Sequence, residues 1–386
     1  MACFDFSGEA FYDNHTHRLF TDKPVVSVKD FTVNYYHGVR DAFDEAGEEC
    51  PSDTAFAHMH SQSVIQTLVH AFSQRFGCEA SLEGLTAFRN DHAKTPEALK
   101  AYTEMLYKDA NVCGTTLDCE LPMGDALTQC FPCKVNRLFQ YENVFTEQLK
   151  TAGSFKQLAD NVLAAISTAA SEGFAGLKGH IGEKYGGMEV RELDPAQAEK
   201  AFAAAQSGDK EAVNSVYHAL FPQILTISAE LNLPLNLHSG STGFKKRTDF
   251  YKVDPILMAP FLKKHKFYKT KIVFLHESFP FTRNAAIMAY NFPNVYLDLS
   301  QTLPWQSLLF SRCLEDALSI TPHDKIVLGT GQHWYAEMAW IASYIAKRSL
   351  ERVMSTFVED GLLSSAQAKR SARLVLSENG MKLYEK

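Results

Sequence analysis

An eight-stranded (β/α)8 barrel is the fold this sequence predicts, and three observations predict it. Short apolar runs that end in a polar residue recur along the chain. Amphipathic helical stretches separate them. No linker, low-complexity tract or internal repeat divides the 386 residues. Runs of strand length alternating with helical patterns mark βα units and a parallel sheet. Eight such units close into a barrel. The expectation is one distorted barrel domain over residues 1–386.

The first strand leads into Asp13-Asn14-His15-Thr16-His17. Residues 51–110 are too many for one crossover, so they read as several helices inserted between strands one and two, capping the barrel mouth. The next strand runs are Thr115-Thr116-Leu117-Asp118, Val135-Asn136-Arg137-Leu138-Phe139 and Phe174-Ala175-Gly176-Leu177-Lys178. A helix is expected over 155–171, with Leu158, Val162, Ile166 and Ala169 at helical spacing and Gly173 beyond its end. Asp194-Pro195 opens another, the acid at the N-cap and the proline at the first helical position. Then come Leu233-Pro234-Leu235-Asn236-Leu237-His238, Lys271-Ile272-Val273-Phe274-Leu275-His276, Asn294-Val295-Tyr296-Leu297-Asp298 and Lys325-Ile326-Val327-Leu328-Gly329. Helices over 255–264 and 281–290 fill the slots after strands five and six.

Composition narrows the function classes. Hydrophobic residues make up 46% and charged residues 22%, as in a globular protein with a sizeable core. A net charge of -7 argues against nucleic acid as an obligate partner. No apolar run is long enough for a membrane span. The N-terminus carries an early acid and no basic flank, unlike a signal peptide. Eight cysteines in so long a chain are not a disulfide framework, and a reducing cytoplasm is the expected location. Cys130-Phe131-Pro132-Cys133 is a single CxxC, which is too little for a zinc ribbon and leaves a redox role open.

In such barrels the chemistry lies at the carboxyl ends of the strands. There this chain places His15 and His17, Asp118, Arg137, Lys178, His238, His276 and Asp298. His15 and His17 share one face of their strand, because strand side chains repeat every two residues. Any one of these groups can serve as a satisfied structural residue. Three strands that end in histidine are harder to explain that way, and clustered imidazoles suit a borderline-soft divalent ion.

The order and spacing of these motifs resemble the amidohydrolase superfamily. The likeness is to the amidohydrolase-2 group, which includes aminocarboxymuconate semialdehyde decarboxylase. It is closer still to the amidohydrolase domain of nodulin-like glutamine synthetase fusion proteins. The motifs are Asp13-Asn14-His15-Thr16-His17, Arg137-Leu138-Phe139-Gln140-Tyr141-Glu142, Gly176-Leu177-Lys178, Leu237-His238-Ser239-Gly240, Leu275-His276, the run 294–300 and the tail 376–384. No glutamine synthetase region follows, so a freestanding form is expected.

The resemblance implies roles. His15, His17 and His238 would bind one divalent metal ion, with zinc expected and manganese the alternative. His276 would hold the attacking water or act as general base. Lys178 would touch the metal surroundings or a substrate carboxylate. Arg137 and Glu142 would anchor substrate, unless they form an ion pair that closes the barrel.

One departure stands out. The family ends strand eight with an aspartate that binds metal and takes a proton. Here the aligned stretch is Gly329-Thr330-Gly331-Gln332-His333-Trp334-Tyr335-Ala336-Glu337, and the aspartate falls on Gly331. Either another base such as His276 or His333 serves, or a shifted register brings Gln332, His333 or Glu337 to the metal, or catalysis is lost. The expected activity is hydrolysis of a C–N bond, amide or γ-glutamyl in type, in a small anionic substrate. The alternatives are non-oxidative decarboxylation and a catalytically impaired binding or regulatory protein. A small-molecule substrate is the expected partner, and a homo-oligomer is left open.

Overall fold

The computed structural model describes residues 4–19, 21, 23–33, 52–59, 61–119, 121–126, 130–240, 249–265 and 267–385. Its sheet is parallel throughout and follows chain order. The strands are β1 (Phe11–Leu19), β2 (Val112–Leu117), β3 (Lys134–Gln140), β4 (Gly176–Gly179), β5 (Leu235–Leu237), β6 (Ile272–Phe274), β7 (Val295–Asp298), β8 (Ile326–Val327) and β9 (Gln332–Trp334). Each of β1 to β7 pairs with the next, and β9 pairs with β1.

The eighth strand of the expected barrel is thus split in two. β8 pairs with β7, the chain kinks through residues 328–331, and β9 pairs with β1. Two backbone bonds bridge the kink: Asn14 N–H donates to the Leu328 carbonyl at 2.8 Å, and Gly331 N–H to the His15 carbonyl at 2.7 Å. Asp13 adds a side-chain clamp, accepting from Thr330 N and Thr330 Oγ1, each at 2.8 Å. β1 also runs through the His-x-His motif instead of ending before it.

The amino end of the barrel is plugged by side chains. Tyr12, Leu138, Val273, Leu275 and Val327 pack there with Leu383 and Tyr384 of the closing helix Asn379–Tyr384. Gly380 must be glycine, since a Cβ would overlap the Tyr12 ring. Outside, helix Phe155–Glu172 buries Leu158, Val162, Ile166 and Ala169, starts at the Ser154 cap and stops at Gly173 with φ +97°. Fully burying each of Leu158, Val162 and Ile166 stabilises the fold by about 1.5–3 kcal/mol. Asp194 forms a capping box with Gln197 before Pro195. After strand five the chain forms a 3-10 turn, Pro255–Met258, before its short helix Ala259–His265.

The segment between β1 and β2 is helical, as expected, with helices Val28–Val33, Ser52–Met59, Ser63–Phe76, Leu82–His92 and Pro96–Asp109. It packs on the long helix Ala336–Glu359 that follows β9. Phe72 and Phe76 lie 5.3 and 5.5 Å from the Trp340 ring. Trp340 Nε1 donates to Asp109 at 2.8 Å. Ser63 Oγ donates to the Trp305 carbonyl at 3.1 Å, and Thr67 hydrogen-bonds Ser307 at 2.8 Å, so the insertion also covers the segment that leaves β7. No helix among the described residues is long and apolar enough to cross a membrane.

Candidate metal centre

At the carboxyl end of the barrel, β1 presents His15 and His17 with ring centroids 5.0 Å apart. Asp118, just past β2, completes a group whose ligand atoms all lie within 4.8 Å of one another. Its Oδ2 is 4.0 Å from His15 Nε2 and 2.6 Å from Lys178 Nζ, and its Oδ1 accepts from Gln140 Nε2 at 2.6 Å. A carboxylate has about four lone-pair sites, so these partners leave room for an ion. Burial opposes ionisation of Asp118, yet Lys178, His17 and His180 together hold the carboxyl well below the usual carboxylate range. Burial lowers His17 to about 4, against the pull of Asp118. Two imidazoles and one ionised carboxylate are a donor set that fits a divalent cation.

His276 sits beside this group, its ring 4.9 Å from His15 and 4.6 Å from His238. Burial pushes its imidazole well below the ordinary value, and His238, His15, Lys178 and His17 push the same way. Ser300 Oγ lies 3.2 Å from His276 Nδ1. Asp298 supports the region, accepting from Asn14 Nδ2 at 2.7 Å, Ser300 N at 2.9 Å and His276 N at 3.2 Å.

Several expected residues stand elsewhere. His238 is not within 4.8 Å of both His15 and His17 as a group, but it borders the centre, its ring 4.6 Å from that of His276. It groups with His180 and Glu183. Arg137 does not reach the centre: its guanidinium donates to the Pro122 carbonyl and lies 5.1 Å from the Phe174 ring centroid. Strand alternation explains this, because Asn136 reaches Tyr12 and Gln140 reaches Asp118 from the opposite face of β3. Nor does Arg137 pair with Glu142, which accepts from His180 Nδ1 at 2.7 Å and Tyr217 Oη at 2.7 Å. Glu337 is buried, accepts from Tyr102 Oη at 2.9 Å and lies 3.3 Å from Arg89, so it does not serve the centre. The side chains of Gln332 and His333 lie outside the described residues. In the CxxC, burial raises the Cys130 thiol and lifts Cys133 to about 12, which disfavours the thiolate that redox chemistry needs.

Sequence reasoning placed Asp118 at a strand end but gave it no role, and it missed Gln140, His180 and Glu183. The signal for the last two was local: Lys178-Gly179-His180-Ile181-Gly182-Glu183 sets a histidine and a carboxylate three residues apart just after β4.

Comparison with known proteins bears on the family and the fold. A family model described as Amidohydrolase matches residues 152–351. Protein fluG of Emericella nidulans is 31% identical over 155 residues, which cover 40% of this chain and 18% of that protein. The match therefore spans less than a fifth of the relative's length. Among solved structures, a candidate metal-dependent hydrolase from Lactobacillus casei ATCC 334 superposes with a TM-score of 0.81 at 19% identity, covering 99% of this chain and 98% of its own. The uronate isomerase of Thermotoga maritima superposes with a TM-score of 0.70 at 14% identity, covering 97% and 94%. At such identities these two speak for the fold.

Proposed function

The chain belongs to the amidohydrolase family, and from that premise we propose that it is a metal-dependent hydrolase of a C–N bond, amide or γ-glutamyl in type, in a small anionic substrate. The observation that carries the reading is the convergence of His15, His17 and Asp118 beside the neutral imidazole of His276. In this reading Asp118, from β2, supplies the carboxylate that Gly331 lacks. His15, His17 and Asp118 would hold one divalent ion, zinc by the chemistry of the donors. Such an ion supplies Lewis acidity toward a carbonyl and makes a nearby water more acidic.

The remaining roles belong to the chain. His276 accepts the proton of the attacking water and returns it to the leaving nitrogen, the general-base and general-acid roles that an imidazole at this place can fill. Ser300 sets the orientation of that ring through Nδ1. Lys178 holds Asp118 in place and puts a positive charge near a bound carboxylate or developing oxyanion.

Two measurements test this. The parent and a His15→Ala/His17→Ala variant are purified without added metal and their metal content is determined. The parent should carry at least one more equivalent than the variant; equal contents sink the ligand assignment. The parent is then offered a panel of N-acyl and γ-glutamyl substrates and aryl carboxylates. Release of free amine or ammonia supports hydrolysis. Carbon dioxide instead assigns decarboxylation. Binding of small acids without turnover of any panel member assigns a binding role.

A further inference from the structure

A cavity of about 1300 Å³ opens between helix Tyr141–Thr151, the loop 185–191 and the first turn of helix Lys210–Glu230. Its wall is preformed. His218 pins both ends of the loop, Nδ1 accepting from Arg191 N–H at 3.0 Å and Nε2 donating to the Tyr185 carbonyl at 2.8 Å. Met188 N–H donates to the Lys252 carbonyl at 2.7 Å. Gly187, with φ +124°, permits that approach, since a Cβ there would lie 2.8 Å from Lys252 Cβ. A wall already in place spares a ligand the cost of ordering it.

The lining joins apolar surface to unpaired positive charge. Leu149, Val213 and Leu257 pack on the core yet stay half-buried, and all three line the cavity. Of its lining acids, Glu183, Glu211 and Asp249 are engaged. Glu183 Oε2 lies 3.6 Å from His238 Nδ1, and Asp249 Oδ2 lies 3.6 Å from Lys252 Nζ. Glu211 accepts from Arg191, and from Asn214 Nδ2 at 2.9 Å. Lys150 and Lys210 have no carboxylate partner among the described residues, and Lys184 reaches Glu142 Oε2 only at 3.9 Å. Glu189 is the one acid of the described lining left against these three lysines. The local surplus is positive on a chain whose net charge is -7, so the cavity suits an anion.

We propose that this cavity binds an amphipathic organic carboxylate. An aliphatic chain covers Leu149, Val213 and Leu257, and the anionic head lies in the field of Lys150 and Lys210. A rim charge contributes little and buried methylenes contribute much, so the chain supplies most of the affinity and the lysines select the charge. The site needs neither the metal centre nor turnover, and it stands apart from the hydrolase reading.

The test is isothermal titration calorimetry of the full chain with hexanoate, octanoate and octanol. Octanoate should bind, and each methylene gained over hexanoate should raise affinity up to about 4-fold. Octanol, equal in length but neutral, should bind more weakly. Lys150→Ala/Lys210→Ala removes two exposed side chains. With its circular dichroism unchanged, it should lose about 2- to 30-fold in octanoate affinity. His15→Ala/His17→Ala should bind octanoate as the parent does. The proposal is overturned by a parent that does not bind octanoate, by equal affinity for hexanoate and octanoate, or by equal affinity for octanol and octanoate. Unchanged affinity in the lysine variant overturns it too. Loss of binding in His15→Ala/His17→Ala would place the ligand at the metal centre and overturn it as well.

Discussion

Gly331→Ala is the perturbation on which the account of the split eighth strand stands or falls. Gly331 has φ +56°, and a Cβ there would lie 2.8 Å from Gln301 Cβ and 2.9 Å from both Gln301 Cα and Gln301 N. Left-handed backbone costs a residue with a Cβ about 1–2 kcal/mol. Overlap with backbone that cannot swing away adds about 1–3 kcal/mol. The expected loss is therefore about 2–5 kcal/mol. Gly361 is the control, since its φ is +72° but nothing lies within 4 Å of its Cβ position. Gly361→Ala should cost only the backbone part, about 1–2 kcal/mol. For 386 residues the unfolding entropy is roughly 0.8 kcal/mol per degree, so Gly331→Ala should lower Tm by about 3–6 °C. The assay is thermal and urea unfolding of both variants by circular dichroism. Equal losses at the two glycines would refute the overlap with Gln301. Gly331→Asp carries the same overlap, so it should lose stability without gaining turnover. A large gain in hydrolysis would instead make Gly331 a simple lesion.

Further outcomes follow from the buried charges. Lys178→Met leaves Asp118 buried without its cation and should cost about 3–5 kcal/mol. Excess zinc should raise the Tm of Lys178→Met more than that of the parent, and an equal rise in both would argue against an ion at Asp118. Burial raises Glu277 to about 7 from an ordinary 4.5, partly offset by its hydrogen bond with Thr282. A carboxyl raised in the folded state lends stability fully present below its unfolded pKa and lost as pH rises through the folded one, here up to about 3 kcal/mol. Glu277→Gln should therefore match the parent in urea unfolding near pH 4 and exceed it at pH 8; a difference independent of pH would contradict this.

The parts of this molecule legible in the sequence are those governed by local pattern. Leu158, Val162, Ile166 and Ala169 announced their helix, Asp194-Pro195 its capping box, and the apolar runs their strands. His15 and His17 came to one site because strand periodicity leaves them no other arrangement. What pattern does not encode is which face of a strand turns inward when both faces are buried. Arg137 and Gln140 sit three residues apart on β3, and only the register places Gln140 on Asp118 and Arg137 against Phe174. The break between β8 and β9 was hidden for a similar reason. Gly329-Thr330-Gly331 reads as a strand end, and its kink depends on bonds to Asp13 and His15 more than three hundred residues away in the chain. The grouping of His238 with His180 and Glu183 likewise rests on the turn after β4, whose path has no periodic signature.

Backbone strain gives a separate physical reason to place chemistry at this end of the barrel. Among the described residues, those other than glycine with positive φ are Asn111, Asn232, His276, Glu277, Ser278, Gln301 and Trp334. Asn111 and Asn232 follow helices on the amino side, where asparagine takes the left-handed conformation at little cost. The others all lie at or beyond the carboxyl ends of β6, β7 and the split eighth strand. His276, Glu277 and Ser278 form a left-handed turn pressed onto Gly240, where a Cβ would sit 2.6 Å from Phe279 N. Gln301, with φ 61° and ψ -53°, is the centre of a γ-turn of the rarer hand, closed by Thr302 N–H donating to the Ser300 carbonyl at 2.6 Å. Each such residue costs on the order of 1–3 kcal/mol and persists only where its surroundings over-determine it. A barrel selected for stability alone would spread or remove these costs. Here those at 276–278 and 301 gather at His276, and the hydrogen bonds of Asp298, Ser300 and Thr302 hold that ring where relaxed backbone would not carry it.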